Sequence, residues 1–428
     1  VSVAGIGVVL LALVLLGVPV AVSIGLAAVL AMVTGPGGVG SLPNVALVMF
    51  NGTTSFPLIA IPLFILAGAI MNASGISRRL IAFASALVGF IRGGLAMVTI
   101  SASLFFAEIS GSAVADVAAL GSILIPAMEK RGYSRSFAAA VTSSSATLAV
   151  IIPPSIPMIL YGVMSGSSIV QLFVAGIVPG VIGGLLMMFV AWLLARRHDF
   201  PREQMFRLER VWHTLRDAAW ALLLPVIILG GIFSGWVTAT EGAGLAVVAA
   251  VVIGGVVYRE LDLAALREAM VEGSVQTAVV MLLVATSALL GDHLTEARFP
   301  QEVAGAILGV THDRWAILLL LNFFFLLIGL VLHSAAAIIL VVPVVMPLVR
   351  AAGIDPVHFG LIVTLNLGIG QQTPPVASVL VTACSVAKAD IWKVSKVNVW
   401  FVAVLLAVLL LVTYVPAVPM TLVEWLYR

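Results

Sequence analysis

The segments LAVIIPPSIPMILYGVM (148–164) and GIGQQTPPVASVLVTAC (368–384) decide the fold. Each is apolar enough to lie in a membrane, and each carries a proline pair in its middle, Pro153-Pro154 and Pro374-Pro375. A proline nitrogen has no hydrogen to donate, so carbonyls one turn earlier, those near Ala149 and Gly370 among them, are expected to be freed. Unpaired backbone is costly in hydrocarbon and persists at membrane depth only where protein buries it or a cavity hydrates it. The two segments therefore predict broken helices, at about 136–165 and about 357–386, rather than plain spans.

Upstream of each lies an apolar stretch interrupted midway, by Ser110-Gly111-Ser112 within about 94–131 and by His333-Ser334 within about 315–350. Both predict re-entrant helical hairpins. The two regions superpose at one offset: Pro126 on Pro347, Gly132 on Gly353, Pro153 on Pro374 and Pro154 on Pro375, each pair 221 positions apart (347 less 126). Gly25-Leu26-Ala27 falls on Gly244-Leu245-Ala246 at 219. The chain thus reads as a first repeat at 1–195, a linker at 196–216, a second repeat at 217–416 and a tail at 417–428. Simple helices are expected near 1–17, 18–34, 44–73, 169–195, 217–235, 238–258, 268–291 and 397–416, with interfacial arm helices at 76–93 and 297–314.

Composition agrees with a polytopic, all-α membrane protein. Of 428 residues 62% are hydrophobic and 9% charged, and the mean hydropathy is +1.22, far outside the balance of a soluble domain. The first apolar stretch, at 3–16, lacks a basic leader and reads as a retained helix rather than a signal peptide. One cysteine, Cys384, excludes an intramolecular disulfide and a multi-cysteine metal site. No phosphate-binding lysine loop, His-Glu-x-x-His or Gly-x-Ser-x-Gly occurs, so no enzyme, organic cofactor or nucleic-acid partner is expected.

Basic residues orient the chain. If each hairpin has both ends on one side, and the side of Arg78, Arg79, Arg92, Lys130, Arg131 and Arg135 is cytoplasmic, then 17 of the 21 Lys and Arg fall inside, as the positive-inside rule demands. Only Arg298, Arg314, Arg350 and Arg428 lie outside. The second hairpin then enters from the opposite face, the repeats are inverted, and both termini face the periplasm. Inverted repeats whose broken helices meet near the midplane are the pattern of alternating-access carriers.

The chemistry follows from the breaks. Freed carbonyls with the hydroxyls of Ser110, Ser112 and Thr373 form an oxygen-rich, uncharged set suited to a hard monovalent cation. Half-helices starting after each break turn positive dipole ends inward, toward an anion. Glu108, Asp116 and His333 are ionisable groups within the spans and functional candidates for that reason. Glu108 and Asp116 keep a proton-coupled alternative open or hold a hairpin tip, and His333 either touches substrate or caps a half-helix. Ser145, Asn366 and Gln372 are further substrate candidates.

The stretches ISGSAVADVAALGSILIPAMEKRGYSRSFAAAV (109–141), IIPPSIPMILYGVMSGSS (151–168), GIDPVHFGLIVTLNLGIG (353–370) and TPPVASVLV (373–381) resemble the large membrane subunit of tripartite ATP-independent periplasmic (TRAP) transporters. This is the DctM-like family of the ion transporter superfamily, and the likeness covers essentially the whole chain. It implies a scaffold domain and a moving transport domain, each drawing on both repeats, working as a sodium-driven elevator in the bacterial inner membrane. It also implies a small four-helix membrane subunit and a periplasmic binding protein that delivers a small organic acid. By motif match one sodium site would use Ser110, Ser112, Ala149, Ile152 and Pro154, and the other Gly329, Gly370, Thr373 and Val376. The chain departs from the family's pattern at His333, often Asp, at Gly368, often Glu, and at Ala377, usually Gly. A stand-alone sodium- or proton-coupled anion carrier and a non-transporting membrane subunit remain alternative readings.

Overall fold

The computed structural model describes residues 3–35, 38–110, 113–200, 205–374 and 376–427, with no description of the side chains of 3–4 and 106–110. Ser112 and Pro375 lie outside the described residues, as do the side chains of Glu108 and Ser110. The first half runs α1 (Val3–Leu15), α2 (Val20–Thr34), α3 (Leu42–Thr53), α4 (Ala60–Ala73) and a short α5 (Ile76–Val88). A hairpin of α6 (Gly94–Ser110) and α7 (Ala113–Lys130) follows, then a broken helix of α8 (Arg135–Ala149) and α9 (Ile156–Ser165), then α10 (Ile169–Arg197).

The second half repeats that order. It runs α11 (Leu208–Phe233), α12 (Ala239–Val252) continued by a π turn, α13 (Leu263–Glu296) and α14 (Phe299–Leu308). The hairpin is α15 (Arg314–Gly329) with α16 (Ser334–Ala351), the broken helix α17 (Pro356–Gly370) with α18 (Ser378–Ala387), and α19 (Ile391–Tyr414) and α20 (Ala417–Tyr427) close the chain. Helices α7 and α16, and likewise α8 and α17, start 221 positions apart (334 less 113, 356 less 135). Seven helices among the described residues are long and apolar enough to cross a membrane.

Several helix bounds differ from the sequence reading, among them α13 at Leu263–Glu296 where 268–291 is expected and α19 at Ile391–Tyr414 where 397–416 is expected. The helix expected at 44–73 is two, α3 and α4, because Pro57 ends the ladder in a tight turn over Phe56–Ile59. Its counterpart α13 has Ala278 at the matching place and runs unbroken for 34 residues. Helix α11 begins at Leu208, so the last part of the expected linker 196–216 is helical, and so is most of the tail.

Helices α8 and α17 sit deepest. Every residue from Phe137 to Ala149 and from Val357 to Gly370 is buried. Around them α8 contacts α6, α7, α18 and α19, while α17 contacts α10, α15, α16 and α19. Helix ends are secured from the sequence itself: Ser134 accepts from Phe137 N–H at 3.2 Å, and Asp355 from Val357 N–H at 2.8 Å. A second group packs α4 on α12 and α13, and α2 on α13. Where α4 turns into α5, Gly75 takes a left-handed φ of +69°, and Arg78 and Arg79 both grip Glu260, at 2.8 and 2.7 Å. The hydrogen bond from Arg79, reinforced by both guanidinium charges, holds the Glu260 carboxyl below the usual carboxylate range.

Candidate functional site

A run of hydroxyls, Thr142-Ser143-Ser144-Ser145 and Thr147, lies on fully buried α8. In so apolar a setting each polar group needs a partner, and the second repeat supplies several. The Gln372 amide, just past the end of α17, donates to the Ser143 carbonyl at 2.8 Å and to the Thr147 hydroxyl. Asn398 of α19 donates to Gln372 Oε1 at 3.1 Å and accepts from the Ser144 hydroxyl at 2.7 Å. Gln371 donates to the hydroxyl of Ser334, the first residue of α16, and its Oε1 accepts from Ser378 at 3.3 Å. This network ties the first broken helix to the second, to the second hairpin and to α19.

Backbone approaches backbone beside it. A Cβ on Gly370 would meet the Gly329 carbonyl carbon at 2.4 Å, and one on Gly329 would meet Gly370 Cα at 3.1 Å. The end of hairpin helix α15 thus rests on the end of α17, which brings two of the expected second-site residues, Gly329 and Gly370, together. Thr373 stands one turn on, its hydroxyl donating to the Ile369 carbonyl at 3.2 Å. Val376 is 48% exposed and stands apart from the packed cluster. At the first break Ala149, Pro154 and most of their neighbours are buried, with Ile152 partly so.

The expected free carbonyls are not free. Ala149 C=O accepts from Ile152 N–H and Gly370 C=O from Thr373 N–H, both at 3.0 Å, because the chain folds into tight turns as each half-helix ends. A carbonyl has two lone pairs, so each keeps one. The substrate candidates divide. Gln372 is engaged on both faces of its amide yet lines a cleft. Ser145 is wholly buried and shares a hydrogen bond of 2.8 Å with Ser103. Asn366 is wholly buried and donates to Asn322 Oδ1 at 2.6 Å, while its own Oδ1 has no protein partner. His333 is exposed and its ring nitrogen accepts from Ala335 N–H at 3.4 Å, the capping role for the start of α16. Asp116 is buried in the first turn of α7.

Two clefts border these elements. One of about 220 Å³ opens beside the second break, lined by Gln372, Thr373, Pro374, Ser395 and Asn398 with apolar residues of α19. A larger one of about 620 Å³ separates α7 from α4 and α13 and is lined by Asn72, Arg78, Ala115, Glu260, Glu272 and Gln276. Ala115 is close in sequence to the first hairpin tip. The sequence reading did not single out Thr147, Ser144, Gln371 or Asn398. The hydroxyl-rich TSSSAT (142–147) inside an apolar helix is the signal that points to the first two; Asn398 has no local signal.

The two half-helices past the breaks begin differently. Ser155 caps α9, accepting from Met158 N–H at 3.4 Å. Ala377, at the same place before α18, has no capping oxygen and sits at a left-handed φ of +45°. That explains why glycine suits this position, since the left-handed region costs any residue with a Cβ about 1–2 kcal/mol.

Residues 7–418 match the model of the family described as tripartite ATP-independent periplasmic transporter, DctM component. The isethionate TRAP transporter permease protein DctMQ of Oleidesulfovibrio alaskensis is 44% identical over 407 residues, 94% of this chain and 64% of that protein. The chain therefore spans a little under two thirds of that relative. The C4-dicarboxylate TRAP transporter large permease protein DctM of Pseudomonas aeruginosa is 38% identical over 90% of both chains. Among solved structures, the YdaH transporter of Alcanivorax borkumensis has a similar fold, with a TM-score of 0.63 at 16% identity, covering 91% of this chain and 90% of that one.

Proposed function

The chain belongs to the DctM family of TRAP transporters, and from that premise we propose that it is the subunit that carries substrate through the bacterial inner membrane. It imports a small organic acid, handed over by a periplasmic binding protein, with sodium as the coupling ion and a small four-helix membrane subunit as partner. The two repeats are inverted, both termini are periplasmic, and the hairpins and broken helices move as a transport body against the α2, α4, α12 and α13 scaffold. The elevator motion would open and close the 620 Å³ cleft, whose walls come one from each body.

The observation that carries this reading is the contact between the two broken helices, tied through Gln372 and Asn398 and backed by the Gly329–Gly370 contact. These contacts support one transport body that draws oxygen-bearing turns from both halves. The turns offer uncharged oxygen: the second lone pairs of the Ala149 and Gly370 carbonyls and the hydroxyl of Thr373, to which Ser110 and Ser112 of the first hairpin would add theirs. Hard cations favour such ligands. Ile152, Pro154 and Val376 complete the two proposed sodium sets through their backbones. The start of α18, which no side chain caps, suits the acid's carboxylate or sulfonate better than the capped start of α9. His333, Ser145, Asn366 and Gln372 remain the side chains closest to a substrate role, with Gln372 lining the cleft beside the second break.

Uptake into proteoliposomes, with and without candidate periplasmic binding proteins and their cognate acids, tests the proposal. Import that needs both the binding protein and an inward sodium gradient is the expected result. Import without any binding protein favours the stand-alone carrier, and import driven by a pH gradient in the absence of sodium overturns the sodium reading.

A further inference from the structure

Helix α11 has 26 residues, about 39 Å at ~1.5 Å per residue, against a hydrocarbon core of ~30 Å. Its apolar part is Ala218–Phe233, so the excess of about 9 Å, roughly six residues, falls at the polar end, from Leu208 to His213, on the arginine-rich side. Helix α11 packs on α5, and Phe206 meets Phe90 edge-on at 5.2 Å. One face is bare. Leu208 is 73% exposed, Trp212 67% and the preceding Met205 85%, and Leu208, Trp212 and Leu215 follow at helical spacing. A lipid-facing stripe belongs in hydrocarbon, and this one continues beyond it, bordered by Arg207, Arg210 and Arg216.

We propose that this face is a membrane-surface site for anionic phospholipid of the cytoplasmic leaflet. Trp212 and Leu208 enter the headgroup boundary, and Arg207 and Arg210 hold the lipid phosphate. A cleft of about 520 Å³ among Met205, Arg207, Glu209, Arg210, His213 and Thr214 has room for a glycerophosphate headgroup. Among the described residues the acidic groups nearby are Glu209, which lines that cleft, and Asp217, which pairs with His213 at 3.2 Å. Arg196 lies over the Trp192 ring at 4.3 Å near the end of α10. An apolar stripe bordered by arginine with tryptophan at its edge is the make-up of a helix that lies in the interface, and basic residues there favour anionic lipid. The inference rests on the proposed orientation of the chain, which sets the leaflet, and on this surface; it does not depend on what the chain carries.

The test uses the full chain in nanodiscs of phosphatidylcholine, with or without phosphatidylglycerol, and a quencher at headgroup depth. Trp212→Phe supplies the blank against the other seven tryptophans, from a total of eight. Quenching attributable to Trp212 is expected in both lipids. Phosphatidylglycerol that co-purifies with the chain from mixed lipid should fall several-fold in the Arg207→Gln/Arg210→Gln variant, and in wild type should fall with added salt. Unquenched Trp212, or phosphatidylglycerol retention indifferent to both arginines, overturns the proposal. So does Trp212 shielded only when a second membrane polypeptide co-purifies, since the surface is then a protein interface.

Discussion

The two broken helices share a motif and differ in how they are enclosed. At the first, α10 lies directly against the break: a Cβ on Gly176 would meet the Ile151 carbonyl oxygen at 2.0 Å, and one on Gly180 would meet Ile152 Cγ1 at 2.6 Å. At the second, the loop between half-helices is one residue longer, so the repeat offset becomes 222 (378 less 156, 391 less 169). That offset puts Asn398, Val402 and Leu406 of α19 where α10 has Gly176, Gly180 and Gly184. All three line the 220 Å³ cleft. Glycine lets one helix close the first break, and larger residues hold the other helix off the second. The first break is therefore the rigid half of the proposed site and the second the accessible half, with Val376 exposed and Ala377 strained.

The largest effect that sharpens this contrast is Gly176→Ala. Its methyl group meets backbone that cannot rotate away, so a loss of about 3 kcal/mol or more is expected, read as loss of monodisperse folded protein in detergent. Gly370→Ala should be comparable, because it too meets backbone, that of Gly329. Gly368→Ala, which meets only the Thr147 methyl at 3.1 Å, should be mild, and equal damage from Gly368→Ala would remove the distinction.

Gln372→Ala comes next. It removes two donated hydrogen bonds and leaves the Asn398 amide without its acceptor, which costs about 1–3 kcal/mol for buried groups. Thermal unfolding should register the loss, and it should be non-additive with Asn398→Ala because the two share one network. Additive effects would mean that Gln372 and Asn398 do not act through one network.

Much of this was legible in the sequence because its strongest signals are local. Proline pairs and the Ser-Gly-Ser and His-Ser interruptions each act on their own backbone, and described helices end and restart beside each of them. Pro57 is just as local, but apolar residues on both sides hid it within a single expected span. The site was less legible. Sequence pattern shows that a carbonyl loses its ladder partner, but not that Ile152 or Thr373 folds back to it. Asn398 meets Gln372 only through tertiary packing. The glycines of α10 carry no meaning until the break they cover is known.

A smaller effect is expected from Ala377→Gly. Relief of the left-handed φ should raise stability by roughly 1 kcal/mol, less the entropy glycine loses on folding, and the melting temperature should rise slightly. A drop would mean that the Ala377 methyl, buried at the start of α18, is worth more as packing than it costs as strain.

The central claim, that both breaks hold coupling ions, is tested most directly by the sodium dependence of uptake in proteoliposomes carrying Ser112→Ala or Thr373→Ala. Removing a hydroxyl ligand should raise the sodium concentration for half-maximal uptake several-fold in each variant, at normal membrane abundance. Substrate affinity should weaken mainly at low sodium, since linkage requires ion and substrate to report the same coupling. Unchanged sodium dependence in both variants would contradict the account, whereas a silent Thr373→Ala alone would confine the ion to the enclosed first break.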